Sequence, residues 1–193
     1  MTSPGRSSPL PLLVLAFTAL SLGSTGCASA SIHSKREPGE LPPLSRLFIA
    51  GSPQNAEASE ERVRLAELSS TVTTLLSGRG IAASAHVFDP MEMSNPQALR
   101  QRIAESQADG MLLLTLSMAE AWVASGGMGG VASERTTTTR VEALLTPAGS
   151  DRRMWSATCQ FGRTSEPSQA ILDSCAQKLV EQLFQDGVLT PTK

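Results

Sequence analysis

The chain has 193 residues, with 16 basic and 18 acidic side chains and a formal net charge of −2. It holds no tyrosine, and aromatic residues make up 4% of it, so it lacks the basic patch and the stacking residues that nucleic-acid binding requires. We predict no nucleic-acid partner and one domain with a core of its own.

Residues 10–22 form the one long apolar run of the chain, after a short segment whose only charged side chain is Arg6. The run is too short to cross a bilayer, which takes roughly 20 apolar residues. Small residues follow it, as in a secretory signal peptide. We therefore predict that residues 1–26 are a signal and that the protein is exported.

Two cleavage sites overlap after the apolar run. Ser24-Thr25-Gly26-Cys27 resembles the lipobox of bacterial lipoproteins, although that family usually has leucine where this chain has Ser24. The resemblance implies acyl chains on Cys27 and, because Ala28 is not an aspartate, an anchor on the periplasmic face of the outer membrane. Ala28-Ser29-Ala30 fits instead an A-x-A site that would release a soluble periplasmic protein beginning at Ser31. We favour Cys27 as the lipidation site.

Residues 27–45 are small, polar and proline-bearing, which is the composition of a flexible spacer. We predict a tether here, with an r.m.s. reach of roughly 20–25 Å. A single α+β domain is predicted over residues 46–189, followed by a tail at 190–193.

Within that domain, strand and helix patterns alternate before a run of hairpins. The predicted elements are a strand at 47–50, a helix from Ser52-Pro53 to Gly78 or Gly80, a strand at 81–88, a helix with the capping box Ser94-x-x-Gln97, a strand at 111–118, a long hairpin with strands at 117–124 and 133–145 around a glycine-rich SGGMGG, a strand at 153–161, and a helix from about Pro167 to Asp186 with Ser165 as its cap. The order β-α-β-α-β-β-β-α predicts an α+β fold, a mixed β-sheet with helices packed on it.

Two further cysteines, Cys159 and Cys175, lie near the end of the chain. Cys159 shares a strand face with Trp155 and Phe161, and Cys175 belongs to the apolar stripe of the following helix. Both sulfurs should therefore point into one core. A disulfide in an oxidising compartment and two buried free thiols are equally weighted alternatives.

Three passages resemble a family of periplasmic lipoproteins. Ala108-Asp109-Gly110-Met111-Leu112-Leu113-Leu114 is similar to the "ADxxLxxxL" passage of lipoproteins related to the curli secretion lipoprotein, a domain shared by penicillin-binding-protein activator lipoproteins. Residues 141–157 are similar to their "VxxxLxDxxTGxxxWsa" hairpin, and the last helix is similar to their closing helix. The resemblance covers roughly residues 46–187 and implies an α+β domain of the cell envelope.

The curli secretion lipoprotein crosses the outer membrane through long hairpins, and this chain departs from that pattern. Its hairpin tip, Gly126-Gly127-Met128-Gly129-Gly130, has few large apolar neighbours, and the outgoing arm carries Glu134, Arg135 and four threonines. A membrane strand takes roughly 9–11 residues that alternate toward lipid. We interpret the tip as a mobile, exposed loop and as the candidate interaction loop.

The sequence carries no recognisable catalytic motif. His86 and Asp89 are close together, but the chain has no G-x-S-x-G sequence, and its glycine-rich passage lacks the Lys-Ser/Thr of a phosphate loop. Glu60 and Glu61 fall in the first turn of a predicted helix, where the helix dipole favours acidic side chains. We expect no enzyme activity, metal or cofactor.

Together these features favour a membrane-anchored protein-interaction module, with another envelope protein as its partner in assembly or regulation. One alternative is a subunit of an oligomeric secretion or channel complex similar to the curli secretion lipoprotein, which would be a homo-oligomer. The other is a soluble periplasmic enzyme or carrier, which would need a deep pocket ringed by titratable groups.

Overall fold

One mixed β-sheet of six strands organises the chain, and it confirms the predicted α+β fold class. The computed structural model describes residues 30–54, 59–127, 130–161 and 168–191. The elements are β1 (Ser31–Arg36), β2 (Arg46–Pro53), α1 (Ser59–Ser77), β3 (Ala82–Val87), α2 (Pro90–Met93), α3 (Pro96–Ser106), β4 (Gly110–Gly127), β5 (Gly130–Pro147), β6 (Trp155–Gln160) and α4 (Gln169–Gln185).

The strand order across the sheet is β1-β6-β5-β4-β2-β3. Strand β2 is parallel to both β3 and β4, so Leu47 lies opposite Ala83 on one side and Gly110 on the other. The connections through α1 and α3 are the two predicted crossovers. Strands β4, β5, β6 and β1 pair antiparallel with one another, which makes the sheet mixed.

Helices cover the sheet on both faces, and strand alternation divides the apolar residues between them. Helices α1 and α4 enclose the main core with Leu112, Leu114 and Leu116 of β4, all 0% exposed. On the other face, Leu99 and Ile103 of α3 pack against a smaller cluster. The predicted stripe of α4 is buried in the main core, through Ile171, Leu172, Cys175, Leu179 and Leu183.

Strand β1 differs from the sequence prediction. The predicted flexible tether covers residues 27–45, but Ser31–Arg36 pair antiparallel with β6 along their whole length. Glu37 N donates to Met154 O at 2.9 Å, and Leu44 is buried. The prediction is wrong for this part because backbone hydrogen bonds to β6 compensate for a low apolar content. The folded domain therefore begins before residue 46.

The first helix also begins later than predicted. Ser52 and Pro53 are the last residues of β2, where they lie opposite Thr115 and Leu116 of β4, and α1 begins at Ser59. Strand β2 continues through these two residues because β4 still pairs with them after pairing with β3 has ended at Gly51. A proline is tolerated here because it stands at the end of the strand.

The cap of α3 is Asn95 instead of the predicted Ser94. The Asn95 side chain accepts hydrogen bonds from Gln97 N and Ala98 N, while Ser94 Oγ donates to Met91 O at 2.7 Å. Asparagine and serine cap helices about equally well, so sequence spacing could not decide between adjacent candidates. Ser165, the predicted cap of the last helix, lies outside the described residues.

Candidate functional site

The long hairpin of β4 and β5 extends far beyond the rest of the sheet. Pairing of β4 with β2 ends at Leu116, and pairing of β5 with β6 ends at Arg140. From Met118↔Thr139 to Gly127↔Gly130, ten residue pairs continue as a ribbon of two strands. At 3.2–3.4 Å per residue the ribbon is roughly 30 Å long. We call this ribbon, residues 118–127 and 130–139, the arm.

The candidate interaction loop is at the tip of the arm, and it is narrower than predicted. Gly126 lies opposite Val131, and Gly127 lies opposite Gly130, so strand pairing extends into the glycine-rich passage. Gly126, Gly127 and Gly130 therefore belong to strands and not to a loop, because an antiparallel ladder can continue up to a two-residue hairpin turn. The interaction role of these residues stays a prediction. Met128 and Gly129 lie outside the described residues.

The arm leaves two strand edges without a neighbouring strand among the described residues. A two-stranded ribbon is at best marginally stable in water on its own. Its outward backbone N–H and C=O groups also form a template for pairing with another chain. This geometry is suited to contact with another molecule along the arm.

The start of the described chain lies at the same end of the sheet as the arm. Ser31 pairs with Gln160, and Gln160 in turn pairs with Arg140, the residue of β5 that directly follows the arm. Ala30 is buried, and its carbonyl oxygen accepts a hydrogen bond from Lys178 Nζ. The segment that precedes Ser31 therefore enters the fold at the base of the arm. Cys27, the predicted lipidation site, lies outside the described residues.

Glu61 connects helix α1 with the base of the arm. Glu60 and Glu61 lie in the first turn of α1, as predicted, and Glu61 is 4% exposed. A carboxylate oxygen of Glu61 accepts a hydrogen bond from Met118 N at 3.3 Å. Glu61 therefore has a structural part in holding the first residue pair of the arm.

Cys159 and Cys175 are both 0% exposed and are separate thiols in the main core. They interact directly through a hydrogen bond. Burial is the largest cause that raises the pKa of the Cys175 thiol far above its usual value, and the hydrogen bond with Cys159 is the second. The protonated form is therefore strongly favoured at Cys175. The two residues are brought together as predicted from their faces, and the disulfide between them stays a prediction.

Trp155, the aromatic residue of the family-like hairpin, is a core anchor. It is 0% exposed, and its Nε1 donates to Asp186 Oδ2 at 2.6 Å. Partial burial works against ionisation of Asp186, but hydrogen bonds from Trp155, Ser34 and Gln182 outweigh it and lower the pKa of this carboxyl. Asp186 thereby links β1, β6 and the end of α4.

The titratable residues near His86 form a local structural cluster. His86 Nε2 lies 3.5 Å from Glu92 Oε2. The His86 ring packs edge-on against the Phe88 ring, with 4.6 Å between the ring centroids. Asp89 accepts a hydrogen bond from Glu92 N at 2.7 Å, which closes the turn after β3. Within the described residues, no group of three or more His, Cys, Asp or Glu side chains is placed to hold a metal ion.

The sequence predicts a hairpin with strands at 117–124 and 133–145 but misses the last residue pairs of the arm, because the glycines near its tip indicate a turn. It also misses the entry of the chain at the base of the arm. Ile32 is the one aliphatic residue of β1, so the sequence holds no apolar alternation that would indicate this strand. Among the described helices, none is long and apolar enough to span a bilayer.

Comparison with known proteins gives distant likenesses in structure. The PelC dodecamer from Paraburkholderia phytofirmans is similar with a TM-score of 0.46 and 14% identity, over 78% of this chain and 95% of that chain. A neuraminyllactose-binding hemagglutinin homolog from Helicobacter pylori has a TM-score of 0.37 and 14% identity, over 80% and 90% of the two chains. A minor lipoprotein from Acinetobacter baumannii has a TM-score of 0.33 and 10% identity, over 77% and 98%.

No protein-family model matches the chain, and no curated protein matches it in sequence. All three TM-scores lie below 0.5, and the proposals below rest on this chain's own sequence and geometry.

Proposed function

We propose that this protein is a lipid-anchored, non-catalytic interaction module of the bacterial cell envelope, held by Cys27 on the periplasmic face of the outer membrane. Its contact element is the arm, through which it binds another envelope protein. The observation that carries the proposal is the ribbon of ten residue pairs that continues beyond the sheet with no strand beside either edge in the described structure. A ribbon of this length is stabilised when a partner pairs with it or covers it.

The position of the anchor supports the same proposal. Three residues separate Cys27 from Ser31, so a lipid on Cys27 lies at most about 11 Å from the buried Ala30. A membrane anchor would therefore hold the arm end of the sheet next to the bilayer. A partner that binds the arm would be recruited to the membrane surface.

Photo-crosslinking in intact cells tests the proposed contact element. A photoreactive residue at Glu134 or Thr136 of the arm should capture a protein partner, which mass spectrometry identifies. The same residue at Ser150, in the exposed turn at the opposite end of the sheet, is the matched control. Equal capture from Ser150 and from the arm would refute the arm as the contact element.

A shortened arm provides a second test. Replacing residues 119–138 with Asn-Gly should leave the sheet intact, because the pairs of β4 and β5 with β2 and β6 lie outside the deleted part. We expect native circular dichroism together with loss of the partner, measured by co-purification of the partner that photo-crosslinking identified with an affinity-tagged chain. A shortened variant that keeps its partner would contradict the proposal.

The anchor itself is tested by intact-mass measurement. Wild-type protein from membranes should carry the mass of the chain from Cys27 plus its acyl chains, and Cys27→Ser should lose the added mass. An unmodified wild-type product that begins at Ser31 would refute the lipoprotein proposal.

A second candidate function is a subunit of an oligomeric secretion or channel complex. The length of the arm favours it, since ten residues per strand fall within the roughly 9–11 that a membrane strand takes. Particle size in detergent separates the two candidates: a ring-sized homo-oligomer supports this alternative, whereas a stable monomer supports the interaction module.

A further inference from the structure

A second surface, at the other side of the sheet, has the features of a peptide-binding groove. Strand β3 is the outermost strand there, and it pairs on one side only, with β2. Ala82 N donates to Ser45 O at 3.0 Å, and Phe88 N donates to Gly51 O at 2.9 Å. Because bonded residues alternate in a parallel pair, the N–H and C=O groups of the intervening residues point away from the sheet. These outward residues are Ala83, Ala85 and Val87.

A groove lies beside this edge, between β3 and helix α1. Its volume is about 430 Å³. Apart from His86 and Val87, the side chains along it are small or carry hydroxyl groups. None of the lining residues is a lysine, arginine, aspartate or glutamate, and Glu92 Oε2 lies 3.5 Å from His86 Nε2. The lining residues are Ala66, Ser69, Ser70, Thr73, Thr74, Ala85, His86 and Val87.

One wall of the groove holds a buried hydroxyl group without a partner. Thr73 Oγ1 donates to Ser69 O, and Thr74 Oγ1 donates to Ser70 O, so these two hydroxyl protons are used within the helix. Ser69 is 1% exposed, and its Oγ has no hydrogen-bond partner in the described part of the chain. A buried hydroxyl group without a hydrogen bond lowers the stability of the fold. A polar group of a bound molecule would supply the missing hydrogen bond.

Two exposed apolar side chains lie at the end of the sheet where β3 ends. Among the described residues, the large hydrophobic side chains that are exposed are Val63 at 58% and Met91 at 82%. Val63 lies in the first turns of α1, and Met91 follows β3. Since β2 and β3 are parallel and α1 connects them, the start of α1 and the end of β3 lie at the same end of the sheet.

We propose that this groove binds an extended, uncharged segment of a partner protein, which adds to β3 as a seventh strand. Its backbone pairs with Ala83, Ala85 and Val87, and a small polar side chain of the segment bonds with Ser69. The edge of β3 offers backbone N–H donors and C=O acceptors along a strand that rises 3.2–3.4 Å per residue. A polypeptide strand carries complementary groups at the same spacing, so it is the ligand that this edge selects. This inference is independent of the arm and of the anchor.

The β1 edge of a second copy of this chain is a poorer occupant. The other sheet edge, β1, carries Lys35 and Arg36, and Arg36 is engaged with Asp186 O at 3.1 Å. Pairing of β1 with β3 of another copy would place cations beside an uncharged groove. The segment of a different protein, without lysine or arginine, fits the lining better.

The test uses the mature chain and a phage library of random twelve-residue peptides without charged residues. Selected peptides are synthesised, and their Kd is measured by fluorescence anisotropy. Ala66→Trp, which fills the groove from an exposed position, should weaken binding at least tenfold. Ala170→Trp, at an exposed position of α4, is the matched control and should bind as wild type does. Ser70→Phe repeats the test at a second exposed position in case Ala66→Trp misfolds.

Backbone methylation of the peptide tests strand addition itself. N-methyl groups on every second residue in one register should abolish binding, and those on the intervening residues should not, because only one set of amides faces β3. Equal binding by both methylated peptides, or by Ala66→Trp and wild type, would overturn the proposal. So would a selection that yields no binding peptide, or a wild-type homo-oligomer that Ala66→Trp dissociates.

Discussion

At the residue scale, Asp109 shows how one side chain of a family-like passage acts. It stands just before β4, and Asp109 Oδ2 accepts hydrogen bonds from Ser45 N, Ser45 Oγ and Arg46 N at 2.9, 2.7 and 2.9 Å. It therefore ties the start of β4 to the start of the neighbouring strand β2. The hydrogen bond from the Ser45 hydroxyl, first among several, lowers the pKa of the Asp109 carboxyl. The aspartate of the "ADxxLxxxL" passage is structural in this chain.

We expect Asp109→Ala to lower the free energy of unfolding by about 1–2 kcal/mol at neutral pH, because three hydrogen bonds to a carboxylate are lost at a partly exposed site. Since the pKa of Asp109 is lowered by folding, its contribution is complete above the usual aspartate pKa of about 3.9 and is lost as the pH falls through the lowered value. Urea titrations between pH 7 and pH 3 measure this. Asp151→Ala, in an exposed turn, is the control; equal effects of the two substitutions would contradict the assignment.

Gly51 permits the close approach of helix α1 to the sheet. A Cβ atom at this position would lie 2.9 Å from Val87 Cγ2 and 3.1 Å from Leu65 Cγ. We expect Gly51→Ala to destabilise the fold by about 1–2 kcal/mol through overpacking. Gly78→Ala is the control, since its Cβ would be 3.5 Å from Thr74 O, an ordinary contact. Thermal unfolding of both variants decides; an unchanged melting temperature in Gly51→Ala would show that Leu65 and Val87 adjust without cost.

Among the helices and strands, the sequence predicts those whose apolar side chains recur at helix or strand spacing. The stripes of α1 and α4 and the central strand around Leu112 are all recovered, because these elements bury the main core. Strand β1 was missed because it is held by backbone pairing, which leaves little trace in composition. The arm was predicted as a hairpin but not at its full length, since Gly126 and Gly127 indicate a turn while the ladder continues through them.

The contact between β6 and α4 brings Cys159 and Cys175 together, and it protects both thiols. In Cys27→Ser protein made in a reducing cytoplasm, we expect no reaction with Ellman's reagent in the folded state and two reactive thiols after unfolding, because burial and the raised pKa of Cys175 disfavour a thiolate. Rapid labelling of folded protein would contradict this. In exported Cys27→Ser protein, two thiols missing even after unfolding would confirm the disulfide alternative, and Cys159→Ala would then expose one thiol.

In the whole molecule, the directions of the strands determine which features share one end of the sheet. Several features lie together at one end of the sheet. They are the carboxyl ends of β2 and β3, the starts of α1 and α4, the base of the arm and the entry of the chain at Ala30. No single stretch of sequence shows this arrangement, because it results from pairing between segments more than 100 residues apart, such as Ser31 and Gln160. If Cys27 carries the lipid, this end faces the membrane, and an arm of roughly 30 Å exceeds the distance that three linking residues allow.

The arm must then lie along the membrane surface or enter the bilayer, and its composition decides between the two. Glu134 and Arg135 stand opposite Val123 and Trp122 in the ribbon, and a charged residue facing lipid at the bilayer centre costs about 2–4 kcal/mol. We therefore expect the arm to stay outside the hydrocarbon. The chain has two tryptophans, Trp122 in the arm and the buried Trp155, so fluorescence can report on the arm.

The measurement uses lipidated protein in vesicles whose acyl chains carry bromine at the bilayer centre, a short-range quencher of tryptophan fluorescence. Wild type and Trp122→Phe should show the same small loss of fluorescence, because Trp155 lies in the core and Trp122 lies outside the hydrocarbon. Strong quenching in wild type that disappears in Trp122→Phe would place the arm inside the bilayer. That outcome would exclude the surface arrangement and favour the secretion or channel subunit, since unpaired ribbon edges in lipid are satisfied only when several arms pair with one another.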